Sequence, residues 1–540
     1  MEGESAERRA IGRGTWMDMV AHRLVQRERE LGRSLDVIRT ESGFGASGIP
    51  HIGSMADAVR AHAVTLALRD MGYRSELIVF CDDMDGLRKV PANLPSWLNE
   101  HLLKPVSDVP DPFGNFGSFA ESMAAMLREA LDEAGLEYRF MSGREAYKTG
   151  LLREQIGKIL SDWRRVGEVI REMTGQEKFT RVLPYFPVCG GCGRIYTAEA
   201  YEFDARRGTV RYRCVGVQLK SGWFAGCGHE GEARIDTDDG KLAWKVEFAA
   251  RWAALDVRFE AYGKDIADSV KVNDWVSENV LGHPHPYHVR YEMFLDAVGR
   301  KISKSTGNVF TPQMWYRYAS PPSLTLYLLK RSVGTRRIST STIIRMMDEL
   351  DKLEELYFRT KGATDFRTVR LRGLYEHAHM LRPRTRPSVK VPYRLLVDLV
   401  SVAPPERRED FVLERLKRYG YDVSSEEVRK RIWYAVNYVN DFGVAARPSR
   451  VEVPAEVMAV IREVAEAVRR RAGPEEIQSE VFNRSRARGV DPAETFRYFY
   501  RVLLNRDSGP RLGPYLYDLG PERLDEILSQ YARVPGAGGG

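Results

Sequence analysis

Long apolar runs, cysteines and a secretory leader are scarce or missing in this sequence. The longest apolar runs, 63–68 and 77–81, are far shorter than the ~18 residues that a membrane-spanning helix needs. Only 5 of the 540 residues are cysteine, which argues against a disulfide scaffold. The first 13 residues mix glutamate and arginine without an apolar core, unlike a signal peptide. The sequence therefore predicts a cytoplasmic protein without a membrane partner.

Basic residues are only slightly in excess of acidic residues. The 82 lysines and arginines outnumber the 75 acidic residues, which gives a net charge of +7. With 43% hydrophobic and 29% charged residues, the composition is that of a globular chain, and its length suggests three or four domains. A weak basic excess suits an anionic partner such as nucleic acid, but an ordinary enzyme equally well.

The first stretch of regular structure has the pattern of a βαβ unit. A β-like run at 35–40 is followed by a turn rich in glycine and serine at 41–54, a helical pattern at 55–71 and a buried-strand pattern at 77–80. The two strands should be parallel, with the loop at their carboxyl edge, where such sheets bind ligands. We therefore predict an α/β protein with a parallel sheet.

The glycine-rich turn is the first candidate for phosphate binding. Four glycines between 43 and 53 let the backbone approach a bulky ligand, and the helix that follows directs free N–H groups at an anion. His51, at the helix start, can donate a hydrogen bond to phosphate. The alternative is that Pro50 begins the helix and His51 packs on its first turn.

A lysine pair is the second candidate. Lys301 and Lys304 lie between hydroxyl residues and a glycine, which suits a mobile loop that places ammonium groups on polyphosphate. The alternative is a solvated basic turn. The two motifs together are more specific, because the first lies in the opening βαβ unit and the second about 250 residues later, after the last sheet-like segment.

These two motifs resemble the HIGH and KMSKS signatures of the class I aminoacyl-tRNA synthetases. They stand here as His51-Ile52-Gly53-Ser54 and Lys301-Ile302-Ser303-Lys304-Ser305, with Ser54 as a departure from the signature. Other segments resemble one family in particular, the class I (archaeal-type) lysyl-tRNA synthetases, and this resemblance covers nearly the whole chain. The segments are 41–53, 82–91 (DDMDGLRKVP), 109–114 (VPDPFG), 242–252 (LAWKVEFAARW), 262–265 (YGKD) and 509–512 (GPRL).

The resemblance implies a domain order and an activity. A Rossmann-type catalytic domain at 34–320 would follow an N-terminal extension at 1–33 and be interrupted by a zinc-bearing insertion at about 87–240. A stem-contact segment at 321–375 and an all-α anticodon-binding domain at 376–540 would come next. Such an enzyme activates L-lysine with ATP and Mg²⁺ to lysyl-adenylate and transfers it to the 2′-hydroxyl of the terminal adenosine of tRNA. We expect tRNA and lysine as partners, and we expect the protein to be a monomer.

The resemblance also implies roles for individual residues. His51 would lie on the ATP phosphates, and Lys301 and Lys304 would stabilise the departing pyrophosphate. Gly263 and Asp265 would hold the adenosine, although Asp265 could instead be a helix N-cap. The other expected residues are Ser47 and Gly53 for ATP, and Glu41, Gly43, Asp83 and Trp244 for lysine.

Four cysteines form the expected metal site. Cys189 and Cys192 have the spacing of a zinc knuckle, and Cys214 and Cys227 follow within about 40 residues. Twelve residues separate the second pair, which indicates an inserted loop, and His229 is an alternative to Cys227 as the fourth ligand. We expect one structural zinc; unrelated reduced cysteines are the alternative.

Two positions depart from the family's lysine pocket. Gly45 stands where a threonine is usual, and Ile266 replaces a histidine. Loss of a buried hydrogen-bond partner commonly changes affinity by about 1–3 kcal/mol, unless His283 or His285 compensates. The carboxylates expected to face the lysine ammonium are Glu41, Asp83 and Asp85. The alternatives to a lysyl enzyme are a weakened paralogue that binds tRNA or a basic metabolite, and a class I synthetase for another amino acid.

Overall fold

The computed structural model describes residues 10–531 apart from positions 93, 293, 297–298, 300–309, 333, 389–390 and 444–450. The chain forms two compact units. The first contains the chain up to Gln313, Thr325–Ile338 and Gly362–Pro383; the second contains Met314–Leu324, Ser339–Lys361 and the chain from Arg384.

The regular elements follow in chain order. The helices are α1 (Trp16–Glu30), α2 (Ile52–Asp70), α3 (Phe119–Glu133), α4 (Gly143–Lys148), α5 (Arg153–Ser161), α6 (Trp163–Thr174), α7 (Trp244–Leu255), α8 (Ala267–Asn279), α9 (Pro312–Tyr316), α10 (Pro321–Leu329), α11 (Thr340–Arg359), α12 (Phe366–Ala378), α13 (Tyr393–Val402), α14 (Arg408–Arg418), α15 (Glu426–Phe442), α16 (Ala455–Arg469), α17 (Pro474–Ala487), α18 (Pro492–Leu504) and α19 (Leu512–Ser529). The strands are β1 (Ile38–Phe44), β2 (Ser75–Cys81), β3 (Arg139–Ser142), β4 (Tyr185–Pro187), β5 (Ala198–Asp204), β6 (Thr209–Cys214), β7 (Gly216–Leu219), β8 (Gly222–Ala225), β9 (Glu230–Arg234), β10 (Gly240–Leu242), β11 (Val257–Gly263), β12 (Tyr287–Tyr291), β13 (Phe294–Leu295) and β14 (Arg336–Arg337).

A five-stranded sheet organises the first unit. Its strand order is β12-β11-β1-β2-β3, and every neighbouring pair is parallel. The nearly continuous burial of β2 and β11 is typical of a parallel sheet covered on both faces. The predicted α/β fold with a parallel βαβ unit is confirmed.

The first strand is longer than the sequence pattern suggested. We predicted a strand at 35–40 and a turn from 41, whereas β1 begins at Ile38 and continues through Phe44, paired with β2 along its whole length. Ser42 and Gly43 pair with Val79 and Phe80 of β2, and this pairing outweighs the low strand propensity of glycine. The helix predicted from 55 begins at Ile52, because His51 caps it.

The predicted insertion at 87–240 contains the helices α3–α6 and small antiparallel sheets. The sheets are β5-β6-β9, the hairpin β7-β8 and the pair β10-β4, whose strand β10 begins at the end of the insertion. Its helices and strands share one apolar core with the parallel sheet, since Ile156, Ile159 and Val210 belong to the same buried cluster as Ile78 and Phe80. The segment also supplies β3 to the parallel sheet, which the sequence did not indicate because that strand is short and partly exposed.

The described elements of the second unit are helical, which confirms the predicted helical C-terminal region. In α16, Val457, Val460, Ile461, Val464 and Val468 are buried, and this spacing gives one apolar stripe along the helix. In the described part of the chain, no helix is both long enough and apolar enough to cross a bilayer.

Candidate active site

A cavity of about 410 Å³ opens at the carboxyl edge of the parallel sheet. The chain leaves β1 towards β2 and β3 in one direction, and leaves β11 towards β12 in the other. The crevice between β1 and β11 is therefore a topological switch point, the place where open α/β sheets bind ligands. The segments that follow β1, β2 and β11 contribute Gly45, Asp82 and Asp265 to its wall.

His51 lies in this wall at the start of α2. Its Nδ1 accepts a hydrogen bond from the backbone N–H of Ser54 at 3.2 Å, so in the neutral ring the proton is on Nε2. A Cβ on Gly53 would lie 2.6 Å from Cε1 of this ring, so only glycine leaves the ring room. The ring packs on the first helical turn, as the alternative interpretation expected, and Nε2 is the atom that can donate to phosphate.

The lysine pair, Lys301 and Lys304, lies outside the described residues. Just beyond it, the backbone carbonyl of Phe310 accepts a hydrogen bond from the N–H of Ile52 at 2.9 Å. The chain that follows the lysines is thus attached to the first turn of α2, directly beside His51.

The expected adenosine segment forms another part of the wall. Gly263 and Asp265 both line the cavity, and a Cβ on Gly263 would lie 2.7 Å from Oδ1 of Asp265. The N-cap residue of α8 is Ile266, so capping of that helix does not explain the aspartate. Ser47, also expected at ATP, is exposed in the loop after β1 and is not among the residues that line the cavity.

Arg251 on α7 holds buried carboxylates beside the cavity. Its guanidinium lies 3.0 Å from Oε1 of Glu41 and 2.7 Å from Oδ1 of Asp82. Glu41 on β1 is paired in register with Glu260 on β11, whose Oε2 accepts a hydrogen bond from Nε1 of Trp252 at 2.6 Å. One guanidinium therefore faces three buried carboxylates.

Burial dominates the ionisation of this cluster. It raises the pKa of Glu41 to about 8 and the pKa values of Asp82 and Glu260 to about 7, although Arg251 lowers each of them. Asp57 on α2 also lines the cavity, and burial raises its pKa well above the usual value. A cation that entered the cavity would stabilise the ionised forms, so the electrostatics favour a positively charged ligand.

The residues predicted to bind lysine do not all line the cavity. Gly43 and Trp244 line the cavity, and a Cβ on Gly43 would lie 3.3 Å from the guanidinium of Arg251. Nε1 of Trp244 donates to Oδ1 of Asp85 at 3.2 Å. Glu41 is fully buried on Arg251 and does not belong to the cavity lining.

Asp83 and its neighbour Asp82 have opposite orientations. The carboxylate of Asp83 accepts hydrogen bonds from the hydroxyl of Ser142 and the backbone N–H of Arg144, and it does not line the cavity. Asp82 does line it. Sequence reasoning named Asp83 and missed Asp82, Arg251 and Glu260. A signal was available for Arg251, because it is the one charged residue in the segment 248–255.

The two departures from the family pocket are both in the cavity wall. A Cβ on Gly45 would meet no atom within 4 Å, so the glycine leaves space that a larger side chain would fill. Ile266 lines the cavity while packing against the apolar core. Neither His283 nor His285 is among the lining residues, so they do not compensate there.

The four cysteines predicted to bind metal converge in the insertion. Their sulfur atoms all lie within 4.8 Å of one another, with Cys189 and Cys227 3.5 Å apart and Cys192 and Cys214 3.9 Å apart. Sulfurs bound to one tetrahedral zinc lie about 3.8 Å apart, given Zn–S bonds of ≈ 2.3 Å. The thiols therefore fit zinc, and His229 is not part of the group.

The geometry and the comparisons with known proteins define a class. The parallel sheet, the cavity at its switch point and the histidine-capped helix are those of a class I aminoacyl-tRNA synthetase. The family model described as tRNA synthetases class I (K) matches residues 14–379. The chain therefore belongs to that family, as its motifs predicted.

Individual relatives are similar to this chain over nearly its whole length. Two proteins of Cenarchaeum symbiosum, each named lysine–tRNA ligase, are 49% and 48% identical to this chain. Each alignment covers 96% of this chain, and 98% and 99% of the relative, respectively. A lysine–tRNA ligase of Roseobacter denitrificans is 31% identical over 93% of both chains.

Proposed function

We propose that this chain is a lysine–tRNA ligase that forms lysyl-adenylate from ATP and L-lysine and transfers lysine to the 2′-hydroxyl of the terminal adenosine of tRNA. Membership of the family supports this activity. The observation that carries it is the cavity itself, because its described lining contains four carboxylates, those of Asp57, Asp82, Glu260 and Asp265, and one guanidinium, that of Arg251.

The reaction needs positioning and charge more than covalent help. The carboxylate of lysine attacks the α-phosphate of ATP, pyrophosphate leaves, and no general base is required because the nucleophile is already ionised. The N-terminus of α2 and Nε2–H of His51 would bind the phosphates. Asp265 would accept hydrogen bonds from the ribose hydroxyls, and Lys301 and Lys304 would stabilise the leaving pyrophosphate. Mg²⁺ bound with ATP would neutralise part of the phosphate charge.

The ammonium of lysine would bind Asp82 and Glu260 rather than Asp83 or Asp85. The first two are exposed to the cavity, whereas Asp83 is used by Ser142 and Arg144. Asp85 accepts hydrogen bonds from Lys241 and Trp244. Two carboxylates would then serve two cations, the ammonium and Arg251.

The decisive experiment is ATP–pyrophosphate exchange with each of the twenty amino acids, with and without tRNA. Lysine should support exchange far better than arginine or ornithine. Exchange with a different amino acid would indicate another class I specificity, and no exchange even with tRNA would favour a non-catalytic paralogue.

Lysine affinity should rise with pH between about 6 and 8. The raised pKa values of Asp82 and Glu260 near 7 mean that both are partly neutral at low pH, and a neutral carboxyl attracts an ammonium weakly. The KM for lysine, measured by exchange, should fall severalfold across this range, more steeply than the KM for ATP. In Asp82→Asn the profile should flatten; an unchanged profile would remove Asp82 from lysine binding.

The pocket departure at Ile266 gives a second test. In Ile266→His a polar group returns to the cavity wall, so lysine should bind up to about tenfold more tightly, with little change in the KM for ATP. Gly45→Thr, which adds a side chain in open space, is the matched change at the other departing position. Equal lysine KM values for the wild type and Ile266→His would show that Ile266 does not limit binding.

We also propose that the cysteine cluster binds one structural zinc. Metal analysis of pure protein should find about one zinc per chain, and Cys189→Ser should release it and lower the thermal stability of the insertion. The control is Cys81→Ser, since Cys81 is a buried cysteine at the end of β2 outside the cluster. Folded, active protein without metal would contradict the proposal.

We propose that tRNA binds to basic side chains of the helical region. Some arginines of this region have acidic partners in the structure. Arg469 pairs with Asp525 at 2.7 Å, and Arg488 pairs with Glu463 at 2.6 Å. The charge available for phosphates is therefore smaller than the number of arginines alone would suggest.

A further inference from the structure

A second group of metal-binding side chains lies in the first unit, apart from the cysteines. We call Asp274, His285 and His288 the histidine cluster; one ligand atom from each lies within 4.8 Å of the others. Asp274 is on α8, His288 is the second residue of β12, and His285 lies two residues before that strand. Of the 10 histidines in the chain, three fall within residues 283–288, the segment His-Pro-His-Pro-Tyr-His.

His288 is oriented as metal-binding histidines are. Its Nδ1 lies 3.3 Å from the backbone carbonyl oxygen of Glu260, so Nδ1 carries a hydrogen and donates it. The other nitrogen, Nε2, lies 2.9 Å from Oδ1 of Asp274. In the neutral ring this places a nitrogen lone pair against a carboxylate oxygen, a contact that requires a cation or a proton between them.

His285 lies beside the same carboxylate. Its ring is stacked parallel to that of His288, with centroids 5.5 Å apart. Its Nδ1 lies 3.9 Å from Oδ1 of Asp274 and 2.8 Å from the carbonyl oxygen of Pro286, so an ion bound at Nδ1 would replace the hydrogen shared with that carbonyl. Its Nε2 lies 3.6 Å from Oε1 of Glu278, a second carboxylate on α8.

We propose that Asp274, His285 and His288 bind a late first-row divalent metal ion such as Zn²⁺. Ligand atoms bound to one tetrahedral zinc lie about 3.3 Å apart, given bonds of ≈ 2.0–2.1 Å. The contacts of Oδ1 of Asp274, at 2.9 Å to Nε2 of His288 and 3.9 Å to Nδ1 of His285, are on either side of this value. Two imidazoles and one carboxylate form a donor set that suits zinc, cobalt or nickel.

The ion would cross-link α8 to β12 beside the amino-acid cavity. The ring of His288 packs edge-on against Tyr262 and lies next to Trp252, with centroids 5.3 Å away in both cases. Tyr262 lines the cavity, and Trp252 donates to Glu260 in its wall. The ion would thus hold in place two aromatic rings that define the wall of the cavity.

The test is a titration of full-length protein, with its cysteine-bound metal retained, against Co²⁺ and then Zn²⁺. We expect one additional equivalent whose visible absorption bands are those of nitrogen and oxygen ligands, without the near-ultraviolet charge-transfer band of thiolates. His285→Gln and His288→Gln should each weaken this binding at least tenfold. His283→Gln changes a histidine of the same segment outside the cluster and should retain it.

The partly exposed His285 gives the more informative variant, since its replacement removes a ligand without opening the core. Absence of an additional equivalent in the wild type would overturn the proposal. Thiolate absorption from the added Co²⁺ would also overturn it, because the ion would then be on the cysteines. Equal losses in His283→Gln and His285→Gln would do the same, since the ion would not be held by the histidine cluster.

Discussion

Replacing Lys304 with alanine should lower the rate of lysyl-adenylate formation at least tenfold. The ammonium group would act on the charge that develops as pyrophosphate leaves, so its loss raises the activation barrier by about 1.4 kcal/mol or more. The hydrogen bond between Ile52 and Phe310 attaches the chain that follows the lysine pair to the helix that His51 caps. Single-turnover adenylate formation measures the effect.

The matched control is Lys271→Ala. Lys271 is an exposed lysine on α8 whose nearest carboxylate is that of Asp268 at 3.8 Å, and it does not line the cavity. This variant should activate lysine at the wild-type rate, and both variants should bind tRNA with nearly unchanged affinity. If Lys304→Ala also activates lysine normally, the loop has no part in the mechanism.

Local sequence patterns predicted the strands and the helix that surround the site. The strand, glycine loop, helix and strand at the start of the chain became β1, α2 and β2, because hydrophobic periodicity and capping act over a few residues. The cysteine spacing was informative for a similar reason, and the twelve residues between Cys214 and Cys227 contain the hairpin β7-β8. Gly263 and Asp265 were expected from the family resemblance instead, and both line the cavity.

Side-chain direction after a strand could not be predicted in this way. Asp82 and Asp83 are adjacent and chemically alike, and the choice between them depends on Ser142 and Arg144, about 60 residues away in the chain. Arg251 belongs to a helix far from β1 and β2 in sequence, and only tertiary packing brings it to Glu41 and Asp82. Buried charges that neutralise one another are therefore identified from the structure and not from the sequence pattern.

Replacing Arg251 with methionine should have the second large effect, which is a loss of stability. Arg251 is buried, and its removal would leave Glu41 and Asp82 without their guanidinium. Loss of one partner from a buried ion pair costs about 3–5 kcal/mol, so Arg251→Met should lower the free energy of unfolding by this amount near pH 8. Urea unfolding followed by tryptophan fluorescence measures it. Lysine activation should be lost as well, because the carboxylates that would bind the ammonium are no longer held in place.

The pH dependence of this loss separates a charge effect from a packing effect. The pKa values of Glu41 and Asp82 are raised by burial to about 8 and 7, and removing Arg251 raises them further. A carboxyl whose pKa is higher in the folded state favours folding at low pH, and that contribution is lost as the pH rises through the folded-state pKa. The destabilisation by Arg251→Met should therefore be smaller at about pH 6 than at pH 8. Arg207→Met, at an exposed pair with Glu232, should change stability by less than about 0.5 kcal/mol at either pH. An equal loss for Arg251→Met at both pH values would mean that packing of the arginine side chain, and not compensation of buried charge, is what the protein loses.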